Sequence, residues 1–185
     1  MWIVIAIVVV ALLLFVVLNN MVVARKNAVE NAFSSIDVML KKRYDLIPNL
    51  VQTVKTYMNY EKDTLTKITE LRAKATLPGV SADEKINLEN QLNTQMRSIM
   101  VAVENYPDLK ANTNFLQLQG SWNEIEEQIS AARRSYNAAV NDFNNSVEMF
   151  PTNIFANMKG YKRKPSIEIP EEERKNISAK ELFNA

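Results

Sequence analysis

The sequence predicts an all-α protein: an N-terminal transmembrane helix that continues into an antiparallel bundle of three long helices, followed by a short C-terminal helix. Three observations carry that prediction. Residues 1–18 hold no charged or polar side chain. Beyond them, apolar residues recur in alternating steps of three and four, the spacing that lines one face of an α-helix. Only 3 Gly and 6 Pro are spread over 185 residues, too few for the frequent tight turns that a sheet protein needs.

The apolar run MWIVIAIVVVALLLFVVL continues without charge through Asn19 and Asn20 to Ala24. About 20 helical residues at about 1.5 Å each cross a hydrocarbon core of roughly 30 Å, so residues 1–24 are expected to form a transmembrane anchor. Leu12, Phe15 and Val23 fall inside it, and Trp2 falls at the interface, where an amphipathic ring is favoured. A cleaved secretory leader fits less well: no basic residue precedes the run, the run exceeds an ordinary leader core, and Val22-Val23-Ala24 is a weak imitation of a cleavage site. A buried core helix fits less still, because the segment is apolar on every face. All charges lie at or after Arg25, with Lys26, Lys41, Lys42 and Arg43 close behind. That bias predicts a single-pass protein of the cell membrane with a short N-terminus outside and the soluble domain in the cytoplasm.

Residues 25–160 read as the bundle. Its first stripe is Val29, Phe33, Ile36, Leu40, Ile47, Leu50, Val54, Tyr57, Ile68 and Leu71, interrupted at Arg43 and at Glu61 to Thr64, with a kink or break expected at Pro48. This helix should stop near Thr76-Leu77-Pro78-Gly79. Ser81 and Glu84 then have the reciprocal spacing that satisfies free amides at a helix start. The second stripe, Leu88, Leu92, Met96, Ile99 and Val103, runs until Pro107 disfavours further helix at the preceding residue. Asn112 or Thr113 is expected to cap a third helix, whose stripe from Phe115 to Phe150 is the most regular. Phe33, Ile36, Ile47, Trp122, Ile129, Tyr136 and Phe143 are the expected core, since three such stripes bury their apolar faces best against each other. Ile154, Phe155 and Met158 suggest a short helix after Pro151. Residues 161–185, with Lys162 to Lys164, then Glu171 to Glu173 and a turn over Ser178 to Phe183, read as a solvated tail.

Three blocks of this sequence resemble the LemA family. The first runs Asn31-Ala32-Phe33-Ser34-Ser35-Ile36-Asp37 through Arg43-Tyr44-Asp45-Leu46-Ile47-Pro48-Asn49-Leu50-Val51 around an internal proline. The second is Glu104-Asn105-Tyr106-Pro107-Asp108-Leu109-Lys110-Ala111-Asn112, leading to Phe115 and Leu118-Gln119. The third is Ala132-Arg133-Arg134-Ser135-Tyr136-Asn137, followed by Asn144 and Phe150-Pro151. Gly120-Ser121-Trp122 departs from the pattern, where a good helix former and a leucine are expected, and the stretch after Gly160 matches loosely. The resemblance implies one N-terminal membrane span, a helical-bundle domain and a bacterial origin. It implies little chemistry.

Composition narrows the function. The chain has no Cys and no His, which removes thiolate nucleophiles, thiol and imidazole metal ligands, and the usual proton carrier near neutral pH. No cofactor, metal or catalytic residue is expected. Carboxylates such as Glu124, Glu126 and Glu127 lack the Glu-x-x-His partner of a di-iron bundle and read as a solvated face. A net charge of +1 gives no field for nucleic acid. The densest polar cluster is Lys41, Lys42, Arg43, Asp45, Pro48 and Asn49 on the first helix; Asp37, Arg43 and Asp45 are expected to pair with Arg133 and Arg134 of the third as register-fixing charges, with a partner-binding face as the alternative. Asn49, Asn112 and Asn137 are expected to cap helices or to satisfy backbone freed by Pro48. The reading these features support is a non-enzymatic, membrane-anchored scaffold or adaptor. Its expected partners are the bilayer, further copies of itself and other membrane proteins. An extracytoplasmic sensor or stress-response accessory is the alternative.

Overall fold

The computed structural model describes residues 1–58 and 61–167. Among the described residues six α-helices follow in order: α1 (Trp2–Lys55), α2 (Lys62–Ala75), α3 (Ala82–Ala102), α4 (Pro107–Lys110), α5 (Thr113–Glu148) and α6 (Thr152–Met158), with a 3-10 turn at Val103–Asn105. No strand occurs among the described residues. The chain divides into two compact units, Met1–Ile36 with Ser130–Ala185, and Asp37–Ile129.

α1 has no glycine and no break over its 54 residues, although Pro48 lies inside it. A proline lacks the amide that would bond the carbonyl four residues earlier. Here that carbonyl belongs to Tyr44, and Arg72 Nε donates to it at 2.8 Å. α1 is therefore not broken at Pro48, and a side chain from α2 replaces the missing donor. The chain leaves the helix later, where the amides of Tyr57 and Met58 both reach Val54 O and Met58 turns into the core. The first stripe is therefore two helices, and its residues Ile68 and Leu71 belong to α2.

In the contiguous unit, α1, α2, α3 and α5 alternate in direction. Tyr44 meets Arg72 of α2, Asp37 and Arg43 meet Lys85 and Asn93 of α3, and Tyr57 meets Asn112 at the head of α5. The shared core includes Ile47, Leu50, Ile68, Leu92, Ile99, Phe115, Trp122 and Ile129. Each fully buried aliphatic or aromatic side chain of this kind contributes roughly 1.5–3 kcal/mol. Two helix starts read from the sequence are present: Glu84 N donates to Ser81 Oγ at 3.2 Å, and Phe115 N donates to Asn112 Oδ1 at 3.0 Å.

In the other unit the first half of α1 runs antiparallel to the second half of α5. Val29 is buried with Val140 and Phe143, the half-buried Phe33 and Tyr136 rings meet edge-on at 5.9 Å, and Arg25 pairs with Asp142 at 2.5 Å. α6 returns so that Phe155 and Ala156 cover Val22. Residues 161–167, expected as the start of a solvated tail, are instead extended and held along α5. Asn144 and Asn137 each donate to and accept from the backbone, at Lys164 and Ile167 respectively, all at 2.9 Å. The remaining tail features, Glu171 to Glu173 and the turn over Ser178 to Phe183, lie outside the described residues.

α1 is the one helix among the described residues long and apolar enough to cross a membrane, and its most apolar window has no buried residue. Trp2, Leu12 and Phe15 are exposed and Val23 is half-buried. Ile36 is buried near the end of the same unit's share of α1.

Candidate functional site

The most concentrated chemistry lies on Arg43, which the α1 stripe carries into the core of the Asp37–Ile129 unit. Its side chain has 0% exposure. A guanidinium cannot shed its proton in a protein, so burial has to be compensated by fixed acceptors. Three helices supply them. Glu89 of α3, itself fully buried, and Glu126 of α5 both pair with the guanidinium, and Asn93, one turn beyond Glu89, accepts at 2.8 Å. The Trp122 ring, one turn before Glu126, lies 4.6 Å from the guanidinium carbon and offers it a negative π face.

Tyr44 is buried beside this cluster. Burial, and then the neighbouring Glu89 carboxylate, push its phenol above the usual range. A second, half-exposed pair, Lys85 with Asp37, joins α3 to α1 nearer the start of the unit. One cation facing two carboxylates and an amide oxygen ties α1, α3 and α5 together at a single buried point. No group of three or more metal-binding side chains occurs among the described residues.

The residues named from the sequence are thus only partly assembled. Asp37 pairs with Lys85 of α3, and Arg43 with Glu89 of α3 and Glu126 of α5, because the turns that face the guanidinium hold these two carboxylates. Asp45 and Asn49 are exposed; Arg133 is buried on α5, and Arg134 is exposed and donates to Ser130 Oγ at 2.9 Å. Glu126, read as part of a solvated face, is only 34% exposed in its side chain. Glu89, Asn93 and Arg72 were missed. Their signal was available in the spacing: Glu89 and Asn93 each follow a stripe leucine, Leu88 and Leu92, by one position and so border the core.

The three motif asparagines separate. Asn137 pins Ile167, but Asn49 and Asn112 converge on one groove of ≈ 610 Å³, lined also by Gln52, Tyr57, Asn114 and Gln117. Asn112 uses both ends of its amide, capping α5 with its oxygen and donating to Tyr57 Oη at 3.1 Å with its nitrogen. The lining contains amides, hydroxyls and Leu118 but no charged residue. Such a surface offers hydrogen bonds to a neutral polar ligand or to peptide backbone.

Comparison with known proteins places these features. The profile of the LemA family matches residues 32–180, a stretch that contains the Arg43 clamp and the amide-lined groove. Protein LemA of Metamycoplasma hominis is 29% identical over 166 residues, covering 90% of this chain and 76% of that protein. Magnetosome proteins MamQ 1 and MamQ 2 of Paramagnetospirillum magneticum are each 23% identical over 155 residues, covering 70% of this chain and 57% of their own length.

Proposed function

The chain belongs to the LemA family, and from that premise we propose that it is a non-enzymatic, membrane-anchored helical scaffold or adaptor, acting through self-assembly or by holding membrane partner proteins. The observation that carries this reading is α1. A single helix contains the apolar stretch and also supplies core residues such as Ile47 and Leu50, with no loop between them. An apolar stretch that belongs to the same helix as core residues of the bundle ties that bundle to the bilayer, as a membrane scaffold requires. The clamp on Arg43 supports the same reading, since it spends its chemistry on holding helices together.

Light scattering on a sizing column, comparing the full chain in mild detergent with a chain beginning at Arg25, tests the proposal. A defined large assembly that requires residues 1–24 supports self-assembly. Monomers in both cases reject it and direct the search to partner proteins by crosslinking in native membranes.

The amide-lined groove favours a second reading, an extracytoplasmic sensor or stress-response accessory, because convergent uncharged donors and acceptors suit a ligand better than a lattice contact does. This version needs the domain outside the cytoplasm. A reporter fused after Ala185 separates the two: cytoplasmic activity excludes the sensor, and export of the domain overturns the charge-based orientation.

A further inference from the structure

We propose that the hairpin formed by the end of α5 and α6 is a second membrane contact, inserted into the leaflet beside the second half of the span. The inference rests on the membrane-anchored reading of α1. Phe155 of α6 meets Phe15 edge-on with ring centroids 5.0 Å apart, and Phe155 and Ala156 cluster with Leu18 and Val22. All three α1 residues precede the first charge, Arg25; at about 1.5 Å per residue, Phe15 lies roughly 15 Å before it along the helix. A bilayer that surrounds the apolar stretch therefore reaches α6 as well.

The outward face of the hairpin suits that position. Phe150 and Met158 are 79% and 70% exposed, and Met149 and Ile154 are also exposed. With Phe155 and Ala156 turned towards α1, α6 is apolar on two sides, which is costly in water and favourable among lipid chains. Lys159 and Lys162 follow at once and are exposed, where they can meet anionic headgroups, while the exposed Arg163 pairs with Glu148 at 3.0 Å. Apolar residues backed by basic ones are the pattern of an interfacial element. The occupant of this patch is lipid of the leaflet in which the span ends, and the effect is to fix the rotation of α1 as well as its depth.

The chain has no cysteine, so single thiols can carry an environment-sensitive fluorophore. Phe150→Cys, Met158→Cys, Leu12→Cys within the span and Asn123→Cys on the exposed face of α5 are each labelled in the full chain and reconstituted in phosphatidylcholine–phosphatidylglycerol vesicles. Emission is then read with and without spin-labelled lipid. The expected result is blue-shifted emission and loss of signal to spin-labelled lipid at 12, 150 and 158, with position 123 unaffected. Quenching at 12 with water-like emission at 150 and 158 overturns the inference and leaves the anchor standing. Blue-shifted emission at 150 and 158 that lipid quencher cannot reach also overturns it, because protein then covers the patch. No quenching at 12 overturns the anchor itself, and the inference with it.

Discussion

Arg43 concentrates the energetics of single residues. Removing one partner of a buried ion pair leaves the other uncompensated, at a cost of about 3–5 kcal/mol, whereas replacing both with apolar groups of similar size is often nearly neutral. Glu89→Met should therefore lower the thermal midpoint strongly, followed by helical circular dichroism in detergent. Arg43→Met/Glu89→Met should recover much of the loss, because Glu126 keeps partial access to water. Additive losses would show that the two side chains do not act as a pair. Tyr44 makes a prediction in pH. Its folded phenol is held above the ordinary value of 10.0, so the unfolded chain loses this proton first. Its stabilising effect is complete below pH 10.0 and declines as pH rises beyond it. Tyr44→Phe should flatten that alkaline loss relative to the parent chain in denaturation series from pH 8 to 11.

At the scale of elements, Pro48 and Arg72 form a unit. Arg72→Met should leave the Tyr44 carbonyl without its donor, at about 1–3 kcal/mol. In a Pro48→Ala background, where the amide is restored, the same substitution should cost much less, as chemical denaturation of the four chains will show. Gly120 sits within α5 with open space where a Cβ would stand, so Gly120→Ala should stabilise by about 0.5–1 kcal/mol. The asparagine pins predict a local effect: Asn144→Ala removes two hydrogen bonds, about 2 kcal/mol and roughly thirtyfold in local opening. Trypsin should then cut faster after Lys162 and Arg163 without a matching fall in global stability. Helix starts were legible because Ser81 and Asn112 act within three residues of themselves. The continuity of α1 and the docking of residues 161–167 were not. Both depend on partners 28, 20 and 30 residues away, Arg72, Asn144 and Asn137, which no local period encodes.

At the scale of the whole molecule, the all-α class was legible from periodicity and from the scarcity of Gly and Pro. Arg43 stood out as a charge interrupting an apolar stripe, but its partners did not, because a period says which face a residue occupies and not which helix it meets. Glu126 could not be told from the solvated Glu124 and Glu127 for the same reason. The division into units escaped a reading along the chain, since α1 and α5 each contribute to both. That division has a consequence for synthesis. Residues 37–129 are contiguous and can complete their core as soon as they leave the ribosome. The other unit cannot, because Val22 and Val29 wait for Val140, Phe143 and Phe155. At about 5–20 residues per second, these arrive only seconds after the contiguous unit is complete. These early residues are therefore among the last to be enclosed, and a chain that stops before Val140 and Phe143 leaves Val29, which lies beyond the apolar stretch, uncovered.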